Sequence, residues 1–311
     1  MNNRGQAVGY SKTAKGKMRA FLWEGGIMRD LGTYRGRKNS YAMDINDAGV
    51  IVGHTLTLAD RSRAIRWDGR RARDLGALGG GESGATAINN RGQVVGYATV
   101  PDEGSPPWTY RAILHKAGAM RDLGLPGGAF CQAFNINDAG VIVGVLITAG
   151  LFQSFVVDLR SENAAGYLDP LPGDDESYAL DINDAGHIMG ISQLSGRAGV
   201  RHRISRPFLY AAGTLHELRM PPDYHINEAG ALNNRGQVVG SGYVGPDDNG
   251  LMNRALLWQD GTVLDLNDLG LLDQGWVLIG ASDINDAGQI VVNGYREGQC
   301  RAFLLSPVVL G

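Results

Sequence analysis

Short runs of alternating apolar and polar residues, each ending in turn-forming residues, recur along the entire chain. Residues 40–46, Ser-Tyr-Ala-Met-Asp-Ile-Asn, alternate as a half-buried strand does, and the turn Asn46-Asp47-Ala48-Gly49 follows. Val50-Ile51-Val52-Gly53-His54 reads as a second strand and Arg63-Ala64-Ile65-Arg66-Trp67 as a third. Beyond a short Asp68-Gly69 turn, Ala72-Arg73-Asp74-Leu75-Gly76 gives a fourth. Four short antiparallel strands in about 45 residues is the pattern of one propeller blade.

The turn itself occurs seven times, with its glycine at 5, 49, 92, 140, 186, 236 and 288, spacings of 44, 43, 48, 46, 50 and 52 residues. Such a period marks a chain of stacked supersecondary units. A type I turn closed by a left-handed glycine gives a bulged hairpin, and the leading asparagine can bond its own backbone two residues on. Folding therefore explains these asparagines and glycines, and the seven turns are not read as a catalytic array.

The first strand of the unit carries alanine at one place in all six copies: Ala42, Ala85, Ala133, Ala179, Ala229 and Ala281. Small residues suit the crowded strand nearest a propeller axis, so this strand is placed innermost. The Arg-Asp-Leu-Gly strand goes outermost, with Arg29-Asp30, Arg73-Asp74 and Arg121-Asp122 as solvated edge residues that blunt pairing. The first copy begins at its turn, so its leading strand is missing. The last outer strand is reduced to residues 307–311. The expected fold is all-β, one domain over residues 1–311, a seven-bladed β-propeller of four-stranded antiparallel blades, with a seam where the ends meet. Six blades with rearranged terminal strands is the alternative.

The turn is preceded by Ile45, Ile88, Ile136, Ile182, Leu232 and Ile284, and in the first copy by Met1. The expectation is that Met1 is internal and the natural product extends upstream. No signal peptide is present.

Composition narrows the classes of function. The net charge is −3 with no basic stripe, which argues against a nucleic-acid partner. No apolar run approaches the ~18 residues of a membrane span. The two cysteines, Cys131 and Cys300, lie in different repeats and read as free thiols outside any metal or redox motif. A monomer is expected.

Ile-Asn-x-x-Gly-x-Val-Val-Gly-Tyr at residues 88–97, together with Arg-Ala-Phe-Leu at 19–22 and 301–304, resembles the HAF-repeat family of extracellular bacterial proteins. The resemblance covers essentially the whole chain, although arginine stands where the eponymous histidine would. It implies a propeller-like repeat protein, extracellular or periplasmic, with no defined activity and no functional residue to carry over.

Loops that differ between repeats are better site candidates than residues the fold already explains. Two sets share one rim: those between second and third strands, and those joining an outer strand to the next inner strand. The first set holds Trp108 and Tyr110, Arg201 and His202, and Tyr243 and Asp247. The second holds basic residues 34–38, then Asp174, Asp175 and Glu176, then Tyr224 and His225, and Trp276. Aromatic faces stack on flat ligands while carboxylates and arginines fix polar groups. Trp108, Tyr110, Tyr243, Asp247, Trp276, Asp174 and Asp175 are therefore the ligand-binding candidates. The acidic turns offer oxygen ligands for calcium but lack EF-hand spacing. No histidine pair has zinc spacing, and no nucleophile elbow, P-loop or dinucleotide fingerprint is present. His115 stands where the third strand usually ends in tryptophan and reads as packing, while His54 and His225 can reach the rim as general bases.

The first functional expectation is a non-catalytic module binding a glycan, peptide or protein on the variable rim. The alternative is a hydrolase or lyase at the channel mouth using His225, Tyr224, His202 or Arg201, with Asp174 and Asp175. A structural scaffold is the third.

Overall fold

The computed structural model describes residues 1–56, 61–69, 71–101, 108–126, 128–161, 165–195, 205–222, 224–244, 252–270 and 275–307. Its architecture is an all-β propeller of seven antiparallel sheets, which excludes the six-bladed alternative. Among the described residues, blade 1 (residues 7–30) and blade 7 (residues 277–305) have three strands each, and the five between them have four. Blade 2 shows the full unit: Asn39–Ile45, Val50–Leu56, Ser62–Asp68 and Arg71–Asp74, each paired with its chain neighbour. Blade 1 lacks the inner strand, as the repeat register required. Residues 308–311, which hold most of the expected last outer strand, lie outside the described residues. The chain divides into two compact units, residues 1–168 with blades 1 to 4 and residues 169–311 with blades 5 to 7.

The turn chemistry is as expected. All seven turn glycines adopt positive φ, between 73° and 88°, and each amide bonds the carbonyl of the asparagine three residues back at 2.9–3.1 Å. The asparagine does more than cap its own turn. Asn2, Asn46 and Asn89 each send a side-chain N–H to the carbonyl of the corresponding asparagine in the next blade, at 3.0–3.1 Å. In the second unit Asn183 and Asn233 do the same at 3.0 and 3.1 Å. The next position joins in, since the backbone N–H of Asn3, Asp47 and Asn90 donates to the side chain of Asp47, Asn90 and Asp138 at 2.7–2.8 Å. The repeated turn is thus the lacing between blades.

A second repeated feature was invisible in the strand pattern. Every inner strand carries an irregularity one residue beyond its alanine, between 42 and 44, 85 and 87, 133 and 135, 179 and 181, 229 and 231, and 281 and 283. A bulge bends the strand and re-aims the residues that follow it. In two cases it presents a carboxylate to the next blade: Asp44 accepts from the amide of Ile88, and Asp181 from that of Leu232, each at 2.7 Å.

The hydrophobic core lies between adjacent blades. Trp67, Ile65 and Ile45 of blade 2 pack with Ala20 and Leu22 of blade 1. Phe155 and Ile142 of blade 4 pack with Leu114 and Val95 of blade 3. Trp258 of blade 6 packs with Met189 of blade 5. Burying each of the larger aliphatic and phenylalanine side chains contributes about 1.5–3 kcal/mol, which makes blade stacking the main source of cohesion within a unit. The outer Arg-Asp pairs are exposed as expected, Arg121 and Asp122 included, except at Asp74. Arg29, Asp30 and Arg73 are solvated, but Asp74 is ion-paired with Arg63 at 3.2 Å and Arg37 at 3.7 Å. Asp30, Asp74 and Asp122 also accept from the glycine amide two residues on, at 2.7–2.9 Å, so they shape the exit from each blade.

Cys131 occupies a position held elsewhere by serine. Ser40 and Ser83 accept from the backbone N–H of Ala20 and Ala64 in the preceding blade, both at 3.0 Å. The Cys131 sulfur faces Ala112 in the same way, and burial pushes its thiol up to about 11. Cys300 is free and exposed. Cys131→Ser is therefore expected to change stability by less than about 1 kcal/mol, because the hydroxyl satisfies the same amide. A thiol-specific reagent at pH 8 should modify Cys300 at once and Cys131 only on unfolding. Rapid modification of both in the native protein would contradict this placement.

Candidate functional site

Antiparallel order brings the loop between second and third strands and the linker into the next inner strand to the same end of each blade. In the first unit this end carries an aromatic row. Tyr97, Tyr110, Phe130 and Phe152 follow one another with ring centroids 5.8, 5.9 and 6.0 Å apart. Tyr110 donates to Glu82 at 3.4 Å, and burial, followed by the Glu82 charge, raises its phenol above the ordinary value. The sequence singled out Tyr110 and missed its companions. Tyr97 sits in the repeated Gly-Tyr step that the fold had explained, Phe152 lies within the strand Leu151–Asp158, and Phe130 immediately precedes the strand Cys131–Ile136. His54 stacks on Tyr41 at 4.8 Å, with Tyr10 edge-on to the same tyrosine at 4.9 Å. Burial lowers the His54 pKa below the ordinary histidine value.

In the second unit the predicted residues fall into separate clusters. The Tyr224 hydroxyl donates to Asp265 Oδ2 at 2.9 Å. Burial first, then the hydrogen bond and charge of Asp265, push this phenol up to about 12, with Arg254 acting in the opposite sense. Asp265 also caps the short 3-10 helix Leu266–Leu269 through the amide of Asn267 at 2.8 Å. A phenol so held stays protonated at neutral pH, so it can donate a hydrogen bond but cannot serve as a base.

The ligand-binding candidates Asp174 and Asp175, and Glu176 beside them, turn to three different partners. Asp174 accepts from Ser192 at 2.7 Å and pairs with Arg206 at 2.9 Å. Asp175 binds both the hydroxyl and the amide of Ser195, which hold its carboxyl below the usual range. Glu176 is buried against Gln193 at 2.7 Å. Local donors thus divert all three carboxylates, and the adjacency that suggested a cluster does not produce one. Among the described residues no group of three or more His, Cys, Asp or Glu side chains is placed to hold a metal ion.

Trp276 lies against Phe303 edge-to-face, centroids 5.2 Å apart, with the guanidinium carbons of Arg296 and Arg301 at 5.2 and 5.4 Å from its ring. Tyr243 is partly buried and stands opposite His225 in the strand register. The side chains of Trp108 and His225 lie outside the described residues, as do Arg201, His202 and Asp247 altogether. Two shallow depressions are lined by other residues. One, of about 470 Å³, runs beside Ile147, Gln153 and Tyr167, and one of about 440 Å³ beside Glu217, Trp258 and Thr262. No helix among the described residues is long and apolar enough to cross a membrane.

No protein-family model matches the chain, so membership of the HAF-repeat family is not established. No curated protein matches it either. Solved structures do. An acylaminoacyl peptidase from Pyrococcus horikoshii superposes with a TM-score of 0.61 at 11% identity, over 98% of this chain and 50% of the peptidase. A puromycin-hydrolysing peptidase from Mycobacterium tuberculosis gives 0.60 at 14% identity, over 96% of this chain and 51% of the enzyme. The β-propeller domain of the Trilobed protease from Pyrococcus furiosus, described as having an open velcro topology, gives 0.52 at 11% identity, over 86% and 81% of the two chains. The chain thus spans about half the length of the two peptidases and most of the isolated propeller domain.

At these identities the likeness establishes the β-propeller fold. It also corrects the expectation of a non-catalytic binding module. That expectation rested on uniform strands beside variable loops, and the same architecture is built into these two peptidases.

Proposed function

We propose that this chain works in peptide hydrolysis, as the propeller of a hydrolase. The observation that carries the reading is the extent of the structural match: nearly the whole chain superposes on about half of each of two peptidases. The rim chemistry is compatible with a peptide. Within the first unit the row from Tyr97 to Phe152 offers apolar faces for side chains, and within the second, taken by itself, Arg296 and Arg301 offer donors for carboxylate or carbonyl oxygens. Acyl transfer needs a nucleophile within hydrogen-bond reach of a base. Cys131, buried and with its thiol near 11, is not such a group. In this reading the propeller receives and orients the peptide, and the nucleophile belongs to a catalytic unit that works with it.

The test is turnover of acylated and free peptide anilides by the protein isolated intact from its native source. Activity that co-purifies with the chain, and is removed by antibody against it, is expected. Its absence from every chain-containing fraction would refute the reading. Turnover by the isolated chain that falls at least about tenfold in Tyr224→Phe would place the chemistry on the propeller itself.

A further inference from the structure

We propose that Arg296 and Arg301, held over Trp276, form a site for the carboxylate group of a peptide. The inference rests on the peptide-hydrolase reading for the nature of the ligand and names what one end of the rim recognises.

The arrangement is built into the strands of blade 7. Gly294 lies directly opposite Arg301 in the register, and Arg296 is two residues further along the same strand, so all three share one face of the sheet. The missing side chain at 294 makes room for the rings: a Cβ there would lie 2.6 Å from Phe303 and 3.3 Å from Cε3 of Trp276. Gly275, in the left-handed region at φ 98°, lets the stem of Arg296 pass close by, since a Cβ there would be 3.2 Å from Cδ of Arg296. Trp276 is thereby pinned between Phe303 and two cations.

Two guanidinium groups gathered on one ring repel each other, and cation–π attraction of about 0.5–1 kcal/mol at exposed sites offsets this only in part. Elsewhere in the same unit an arginine in such a position has acidic partners, as Arg206 has Asp174 and Glu217. Among the described residues neither Arg296 nor Arg301 has a carboxylate partner. An incoming anion would supply that missing charge. Planar guanidinium forks match a carboxylate in bidentate fashion, and the indole and Phe303 limit the freedom of the side chains, so less entropy is lost on binding. Arg301 is exposed and Arg296 and Trp276 are partly exposed, so the donors are open to ligand. The indole adds an apolar face for the residue next to the carboxylate.

Isothermal titration of the full chain with acetyl-tri-alanine as free acid, as C-terminal amide, and with acetyl-Ala-Asp-Ala-amide tests this without requiring turnover. Failure here is therefore distinguishable from failure of the hydrolase reading. The free acid is expected to bind at least about tenfold more tightly than the amide, as loss of a charge-assisted hydrogen bond implies. Binding of the Asp peptide would extend the site to side-chain carboxylates, and its failure would confine it to chain termini. Arg301→Gln and Arg296→Gln should each weaken the acid at least about tenfold while melting as the wild type does. Equal binding of acid and amide, unchanged affinity in both variants, no detectable binding at millimolar peptide, or tighter binding of inorganic phosphate than of the acid would overturn the proposal.

Discussion

Gly144→Ala is expected to destabilise the first unit by about 3 kcal/mol or more, the range in which overpacking of a rigid site becomes exceptional. A Cβ at 144 would lie 2.2 Å from the carbonyl oxygen of Gln132, 2.6 Å from Cζ of Phe155 and 2.8 Å from Cα of Ala133. Two of these neighbours are backbone atoms of the bulged inner strand and cannot rotate away. The third is the ring of a fully buried phenylalanine. The same collision recurs at Gly53, Gly96 and Gly190, where a Cβ would come within 2.0–2.2 Å of the carbonyl opposite. The glycine in the second strand is therefore what lets each bulged inner strand lie close. Gly166→Ala is the control, since its nearest neighbour would be 3.9 Å away. Denaturant unfolding of the two variants beside the wild type checks the point. A Gly144→Ala midpoint within error of the wild type would remove the argument. Failure of that variant alone to accumulate as folded protein would be the expected result in stronger form.

Asn89→Ala is expected to cost about 3 kcal/mol, because it leaves several buried polar groups without their partners. The Asn89 oxygen accepts from the amides of Arg91 and Gln93 at 3.1 and 3.0 Å. Its nitrogen donates to the Gln93 side chain at 2.7 Å and to the Asn137 carbonyl of blade 4 at 3.0 Å. Asn89→Asp separates the two roles. It keeps the acceptor that shapes the turn but loses the donor, and it sets a carboxylate against two oxygens. If the asparagine served only its own turn, Asn89→Asp would be nearly neutral. The lacing between blades predicts a loss comparable to that of alanine. Exposed Asn90 bonds Asp138 at 2.7 and 2.9 Å, and Asn90→Ala should cost no more than about 1 kcal/mol. Thermal unfolding of the three variants separates these outcomes.

The same residues show how much of the fold was legible. Alternation, the repeated turn and the alanine position specify blades, strand order and the innermost strand, because a local hairpin advertises itself through period-two burial and turn chemistry. The bulge beside each alanine was not legible. It depends on the close glycine of the neighbouring strand and the pull of the next blade, and neither leaves a mark in the alternation of one segment.

The candidate site was legible only in part. Trp276 and Tyr110 were found because aromatic residues in variable loops are conspicuous. Their partners Arg296, Arg301, Tyr97, Phe130 and Phe152 were not, because they come from other strands and meet only in three dimensions. Asp174, Asp175 and Glu176 illustrate the converse. Adjacent carboxylates suggested a shared ligand, yet Arg206, Ser195 and Gln193 claim one each.

By itself, then, the sequence determined the repeat, the antiparallel blade and the seven turns, all of which arise from contacts within about 45 residues. Tertiary structure decided that the turn asparagine reaches to the next blade, that Cys131 replaces a serine against Ala112, and that two arginines converge on Trp276. The physical reason is common to all three. Hydrogen-bond complementarity and charge convergence depend on distances between strands far apart in the chain, whereas hydrophobic period and turn geometry depend on neighbours.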